Sequence, residues 1–537
     1  MAPEAPAADV AARVDELFTR WHRDDSPGCA LGVLKAGELV LERYYGMADL
    51  EHSVAHSADS VFDIASTSKQ FTAAAILLLS DRGEIVLDDP IQAYLPEIPE
   101  YEAPITIRHL VHHTSGIRDY LGLRHLAGVN DTDYYDMQLA LDLIARQRGL
   151  NFAPGTKHMY SNSGYVLMAI IVSRVSGRSF DEFCRDNMFE PLGMTRSRFR
   201  EDVTRVIPGL VMNHLRDKKG EFKKTIANDD IVGDGGLHTT LRDLALWERN
   251  YIEEKVGGPG FAGRMATPGT PEDDPERYGF GLSTSQYRGL KIVSHGGNLT
   301  GYSGEFLRFP EHGLTVICLA NMGGFDAGGL ARKVAEVYLE YQMDAGAKLV
   351  SGAGDEAGAD VPVDDLDRFV KLYRMADTGL VIDVVREGDG LTVKLGDQSI
   401  PLHPRGGARF AGDYQEMTLD IGFTEVEGGL LQFGVIYDGE SLMEAIEIQP
   451  PAAGSLDLES YAGEYFSEEL DAAALATIEG GSVHLRFGQR RELLRPTLSD
   501  EFATSFGGIH FDRGSDGGLR GFTSSMSRAT GVTFRKL

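Results

Sequence analysis

A chain of 537 residues is longer than one ordinary domain, and a prior of about 150 residues per domain suggests three or four. Its 42% hydrophobic and 25% charged content is that of a chain able to bury a sizeable core. A net charge of -29, from 52 basic against 81 acidic residues, argues against nucleic acid and anionic membrane surfaces as partners and leaves cationic or neutral substrates.

The opening "MAPEAPAADVAARVDELFTRWHRDD" has neither the basic start nor the apolar stretch of a secretory signal, and no run reaches the length of a membrane span. Cys29, Cys184 and Cys318 are far apart and odd in number, so neither a disulfide framework nor a zinc site is expected. The expectation is a reduced, cytoplasmic protein with no membrane association. Residues 9–24 read as an amphipathic helix, and an apolar hairpin comes next around "KAGE". Helices are predicted at 66–82, 106–113, 136–147, 162–176, 179–189 and 240–252. Strands return in "YGFGLSTSQY", "LKIVSHGG", "YSGEFLRFPE" and "LTVICLAN", before a helix at 327–342. Strands at both ends with helices between imply one antiparallel sheet closed by distant segments, with an inserted helical region: an α/β (α+β) domain.

Residues from Asp344 onward turn rich in Gly, Ala and Asp without lasting periodicity, a linker composition. The remainder of the chain carries an internal repeat. Phe369 and Tyr461, Tyr373 and Tyr465, Gly388 and Gly480, Gly396 and Gly488, and Pro404 and Pro496 are all 92 positions apart, with no gap needed. Alternating strands and Gly-rich turns in both copies predict two small antiparallel β-barrels from one duplicated unit. The division expected is 1–345 catalytic, 346–362 linker, 363–452 first barrel and 453–537 second barrel.

The stretch "FDIASTSKQF" (62–71) places Ser66 and Lys69 three positions apart on one helix face, with Ser66 at the positive end of the helix. A lysine desolvated beside a serine loses part of its preference for the charged form and can take the hydroxyl proton. Alone, the pattern is as well explained by helix capping. Further along stands "APGTKHMYSNSGYVLM", where a Pro-Gly turn leads to Tyr160 and Asn162 before an apolar helix, and later "LKIVSHGGNLTGY", a strand ending in His295, Gly296 and Gly297. An S-x-x-K helix, a Y-x-N loop and an H-G-G strand, in that order, are three walls of a serine acyl-transfer site.

On these motifs, with "LVHHTSGIRDY", "FEPLGMTRSRF" and "GDGGLHTTLRDLALW", residues 10–342 resemble the serine β-lactamase-like hydrolases, the family of class C β-lactamases, DD-carboxypeptidases and D-aminopeptidases. The two barrels make the likeness strongest to D-aminopeptidases, whose own barrels are lipocalin-like. The resemblance implies Ser66 as acylated nucleophile, Lys69 as proton acceptor or the group that tunes it, and Tyr160 as proton relay to the leaving amine. Asn162 would hold Lys69 and the acyl amide. His295, Gly297 and Asn298 would line the substrate, with the backbone N–H groups of Ser66 and Asn298 as oxyanion hole. No cofactor or metal is implied, and the partner is a small-molecule or short-peptide substrate; a homodimer is compatible.

His295 stands where β-lactamases and carboxypeptidases keep a lysine facing a carboxylate. With a reference pKa of about 6.5 it would be mostly neutral at pH 7, favouring amides and esters, and its protonation at lower pH would imitate the lysine. Alternatives to a D-stereospecific aminopeptidase are an esterase, a weak β-lactamase, an acyltransferase, or a silent scaffold. His109, His112 and His113 have helical metal-ligand spacing but lack the intervening glutamate of a zincin, so structural roles are expected. Asp119 and Asp234 could meet a substrate ammonium; capping or solvent exposure is the ordinary reading. No G-x-S-x-G elbow is present. The final barrel's "SFGGIHFDRGSDGGLRGF" looks short for the loop that reaches the cleft in D-aminopeptidases.

Overall fold

The computed structural model describes residues 7–537 except 131, 226, 273, 275, 276, 345–362, 396, 397, 415, 416, 427, 438, 439 and 453. The expected linker, and Gly396 of the repeat, therefore lie outside the described residues. Strands β1 (Cys29–Lys35), β2 (Glu38–Tyr45), β3 (Ser283–Tyr287), β4 (Leu290–Leu299), β5 (Tyr302–Phe309) and β6 (Leu314–Ala320) form one sheet in the order β3-β4-β5-β6-β1-β2. The N-terminal hairpin joins the later strands through antiparallel β1–β6 pairing, from Cys29 opposite Ala320 to Lys35 opposite Leu314. Residues nearly 300 positions apart thus close the sheet, as the distribution of strands implied.

Both faces of this sheet are covered, so β5 and β6 are buried along their whole length instead of alternating. Helix α1 (Ala7–Leu17) and the later helix Ala327–Leu339 cover one face, where Val14, Phe18, Leu31, Leu307, Val316 and Val334 share a core. On the other side lies the helical region, centred on α2 (Lys69–Asp81), whose run Phe71–Leu79 is apolar except for Thr72 and buried throughout. Helix α3 (Ile107–Val111) packs on α4 (Asn162–Ser176), which packs on α2, and α5 (Leu241–Glu253) meets α2 through Trp247 against Phe71. Gln70 is buried with them because Trp247 Nε1 (2.6 Å) and Tyr251 Oη (3.0 Å) of α5 both donate to its side-chain oxygen.

The predicted helix at 162–176 is found at those bounds, and those at 136–147 and 240–252 shift by one or two residues. The predicted 179–189 helix instead divides into an α-helix, Phe180–Cys184, and a π-turn, Arg185–Phe189. Short helices at Tyr120–Leu126 and Phe261–Ala266, and short strands between 198 and 239, were not foreseen. They are too brief to leave a hydrophobic period in the sequence.

The chain divides into two compact units that do not follow chain order. The first holds the described residues of 1–117, 131–142 and 152–348, and the second those of 118–130, 143–151 and 349–537. Within the second unit stand two closed eight-stranded antiparallel barrels, Leu372–Arg374 through Glu440–Ile448 and Gly463–Ser467 through Ala529–Lys536. The duplication is visible in detail. Tyr373 Oη donates to Phe369 O and Tyr465 Oη to Tyr461 O, and both barrels carry a bulge just after the equivalent Pro404 and Pro496. Each interior is filled by aromatic side chains, Phe369, Tyr373, Phe423 and Phe433 in one and Tyr465, Phe511, Phe522 and Phe534 in the other. An eight-stranded barrel has about the width that such side chains fill.

Segments 118–130 and 143–151 belong to this unit through the second barrel. Arg118, buried, donates to Thr530 O, Gly531 O and Glu469 Oε1 at 2.8–2.9 Å. Asp119 caps Tyr120–Leu126 by accepting from Leu121 N and pairs with Arg528 at 3.3 Å. Its carboxylate has the capping role, not one towards a substrate. The stretch "SFGGIHFDRGSDGGLRGF" is a hairpin of the second barrel, Gly507–Arg513 with Leu519–Met526, and Gly508 N donates to Thr378 O of the first barrel.

Candidate active site

The first unit brings Ser66, Lys69, Tyr160, Asn162 and His295 together. Ser66 does not stand in an α-helix, as predicted, but in a 3₁₀ turn, Ala65–Ser68, from which α2 continues. Side chains three apart eclipse in a 3₁₀ turn, which sets Lys69 Nζ 3.1 Å from Ser66 Oγ. The turn is fixed from the preceding strand. Asp63 Oδ1 accepts from Ala65 N at 2.8 Å, Ile64 N donates to Leu237 O, and Ala65 takes a left-handed φ of 48° just before the nucleophile candidate. Such strain in a non-glycine residue persists only where surrounding bonds over-determine it.

Lys69 is fully buried, and its ammonium or amine is met by oxygens. Nζ donates to Asn162 Oδ1 at 2.9 Å and to Asp234 O at 2.5 Å, and lies 4.9 Å from the Tyr160 ring centre. Asn162 reaches it as the first residue of α4. Asp234 reaches it through its backbone carbonyl, so the "GDGG" loop contributes main chain at this point. That loop is locked to α2, since Thr72 Oγ1 donates to Gly233 O and Leu237 N to Ser68 Oγ.

Strand β4 forms the third wall. Its pairing with β3 ends at Ser283 opposite Ser294, so His295–Asn298 run on beyond that partner while β5 continues on the other edge. Thr67 Oγ1 donates to His295 O at 3.2 Å, fastening β4 to the serine turn. Gly297 is required by the closeness of this approach: a Cβ there would stand 2.3 Å from Ile64 O and 3.0 Å from Thr67 Oγ1. Asn298 is exposed, and its side-chain oxygen accepts from Ser303 Oγ at 3.2 Å. Gly297→Ala should therefore displace strand against turn, lowering kcat/KM by about 100-fold and stability by about 1–3 kcal/mol. Wild-type kinetics in this variant, measured beside its melting temperature, would show that the contact does not govern the site.

His295 is satisfied as a neutral ring. Nδ1–H donates to Gly296 O at 2.6 Å, leaving Nε2 to accept from Tyr278 Oη at 2.9 Å. Burial first, and the neighbouring Lys69 charge second, push its pKa down to about 3. The sequence-based expectation that mild acid would protonate it is corrected: a group set near 3 stays neutral through pH 5.5–8.5.

The other histidines are occupied separately. His109 Nδ1 accepts from Thr106 N in a capping box, His112 Nδ1 donates to Tyr278 O, and His113 Nδ1 accepts from Ser161 N. Among the described residues no three His, Cys, Asp or Glu side chains are grouped to hold a metal ion, and no helix is long and apolar enough to cross a membrane. Sequence reasoning missed Tyr278, whose hydroxyl holds His295 and whose ring lies 4.6 Å from that of His113. An isolated tyrosine in "RYGFGL" carries no motif that would have marked it.

Comparison with known proteins gives this site a context. Residues 11–339 match the family described as Beta-lactamase. The chain is 32% identical over 317 residues to a D-aminopeptidase of Gluconobacter oxydans, a match spanning 59% of each chain. It is 29% identical to penicillin-binding protein 4* of Bacillus subtilis over 77% of this chain and 93% of that one, and 27% identical to a D-aminopeptidase of Brucella anthropi over 86% and 83%. Among solved structures, an octameric penicillin-binding protein homologue from Pyrococcus abyssi aligns with a TM-score of 0.58 at 23% identity, covering 82% of this chain and all of that one. A D-stereospecific amidohydrolase from Streptomyces aligns with a TM-score of 0.51 at 21% identity, over 61% and 97%. At those identities the structural likeness shows the fold.

Proposed function

The chain belongs to the beta-lactamase family of serine hydrolases, and from that premise we propose that it cleaves small peptides, amides or esters through an acyl-enzyme on Ser66, with D-aminoacyl amides as preferred substrates. The observation that carries this reading is the setting of Lys69. Asn162 Oδ1 and Asp234 O can only accept hydrogen bonds, so Nζ must donate to both, whereas Ser66 Oγ can accept or donate. A neutral Lys69 therefore keeps two N–H bonds committed and can turn its lone pair on the Ser66 hydroxyl.

In the proposed reaction Ser66 Oγ attacks the acyl carbon as its proton passes to Lys69 Nζ. The Ser66 and Asn298 N–H groups bind the oxyanion, whose charge develops only in the transition state. Tyr160, beside Lys69, hands the proton to the departing amine or alcohol. Water then attacks the ester carbonyl and the same groups run in reverse, returning the proton to Ser66. Asn162, Gly297 and His295 line the acyl side.

A neutral His295 supports the preference for substrates without a carboxylate at this position. The ratio of kcat/KM for a peptide amide to that for its free acid should thus stay flat from about pH 5.5 to 8.5, apart from ionisation of the substrates themselves. A ratio shifting towards the acid as pH falls, with a midpoint near the ordinary histidine value of about 6.5, would contradict a neutral His295.

The substrate assignment is tested with a panel of D- and L-alanyl p-nitroanilide, p-nitrophenyl acetate and a chromogenic cephalosporin. D-alanyl p-nitroanilide should be hydrolysed with at least about tenfold preference over the L form. Equal rates for the two, or faster cleavage of the cephalosporin, would overturn the assignment. We extend the proposal to a cytoplasmic location, because the facing thiols of Cys29 and Cys318, buried and unbridged, suit a reducing compartment. The octameric Pyrococcus abyssi homologue supports self-association in general, and a homodimer is our proposal for its simplest form, to be checked by light scattering.

A further inference from the structure

We propose that His113 is the positioning residue for Tyr160, holding the phenol against Lys69 by clamping the backbone on both sides of it; this rests on the reading of Tyr160 as proton relay. Residues 157–161 have neither helix nor strand to fix them, and Ser161, the N-cap of α4, makes no capping bond with its own side chain. His158 N donates to Asp274 Oδ2 at 3.0 Å, and the residues on either side of Tyr160 are held by His113. Its carbonyl accepts from Met159 N at 2.9 Å, and its ring Nδ1 accepts from Ser161 N at 3.1 Å. The residues before and after Tyr160 are thus tied to a single residue.

The ring completes the clamp. It lies 4.2 Å from the Tyr160 ring, centre to centre, at 35°, and is backed by Tyr165 at 5.0 Å and Tyr278 at 4.6 Å. His113 is 1% exposed, so this packing is fixed on all sides. Accepting at Nδ1 places the ring proton of the neutral form on Nε2, and the clamp needs that tautomer.

The backbone explains how one residue makes both bonds. His113 comes just past His112, the C-cap of α3, with a left-handed φ of 54°, which turns the chain so that "HTSG" runs beside 152–161. The neighbouring contact is Gly155 N to Thr114 O at 2.8 Å, and Gly116 lies so close to Phe152 that a Cβ would meet its carbonyl oxygen at 2.1 Å. Histidine and asparagine are among the side chains that tolerate this φ.

That tolerance supplies a discriminating set of variants. Asparagine keeps an acceptor near the place of Nδ1 and accepts the backbone conformation; phenylalanine keeps the ring and loses the acceptor; alanine loses both. With p-nitrophenyl acetate as probe, His113→Phe and His113→Ala should lose about 100-fold in kcat with KM within about threefold, the scale expected for a catalytic group displaced by about 1 Å. His113→Asn should recover to within about tenfold of wild type. In a Tyr160→Phe background, His113→Phe should cost less than about threefold, because its effect passes through the phenol. If the Phe variant does not fold, Ala against Asn carries the same comparison.

Full activity in His113→Phe or His113→Ala, equal losses in the Asn and Ala variants at similar melting temperatures, or an undiminished His113→Phe loss in the Tyr160→Phe background would each overturn the proposal. Failure of the underlying reading looks different: Tyr160→Phe alone would then retain wild-type kcat.

Discussion

Ser66→Ala should lower kcat by on the order of 10⁵-fold or more on whichever substrate proves best, while the protein stays folded. Removing the nucleophile of a serine hydrolase costs about as much as removing its whole catalytic set, because the remaining groups act only through it. The structural cost is small. The 3₁₀ turn is held by Asp63, Leu237 and Thr67, whose bonds do not use the Ser66 hydroxyl. Losing one hydrogen bond to Lys69 should change stability by about 1–2 kcal/mol. Loss of activity with a near-native melting temperature is thus expected; activity within tenfold of wild type would remove Ser66 from the chemistry.

Lys69 should be nearly as sensitive, and its variants separate two roles that one loss of activity would confuse. Lys69→Met removes the proton acceptor and leaves Asn162 Oδ1 and Asp234 O buried without their donor. Each such loss costs about 1–3 kcal/mol, so a destabilisation of about 2–6 kcal/mol is expected in urea unfolding. The kcat should fall by about 10³–10⁴-fold. Lys69→Arg restores positive charge and donors but cannot give up its proton near neutral pH. If Lys69 acts as a base, Arg is as inactive as Met. If it acts only as a charge, Arg recovers at least a tenth of wild-type activity, and the proton would need another acceptor.

Whatever repeats or keeps a short spacing is legible in the residues alone. Ser66 and Lys69 stand three apart, and that spacing brings them together in a 3₁₀ turn as it would in an α-helix, so the pair is legible although the element is not. The barrels are legible because each position is written twice: Tyr373 with Phe369 and Tyr465 with Tyr461 make the same bond. Contacts over long separations leave no such trace. Arg118 finds three of its oxygens 351 to 413 positions away, which draws its segment to the second unit against the order of the chain. His113 stands in the sequence as one of three spaced histidines, yet its role comes from a left-handed backbone and a partner 48 residues on. Spacing gives His295 only the pKa of a histidine in solution, because it says nothing about burial, and burial moves that pKa most.

Whether Ser66 carries the acyl group is read by mass spectrometry of the intact protein and its peptides after reaction with an active-site-directed fluorophosphonate. One adduct per chain is expected, on the peptide containing Ser66, absent in Ser66→Ala and suppressed by competing substrate. An adduct on Ser115 or Ser161, or turnover that continues in a protein fully labelled elsewhere, would contradict the account.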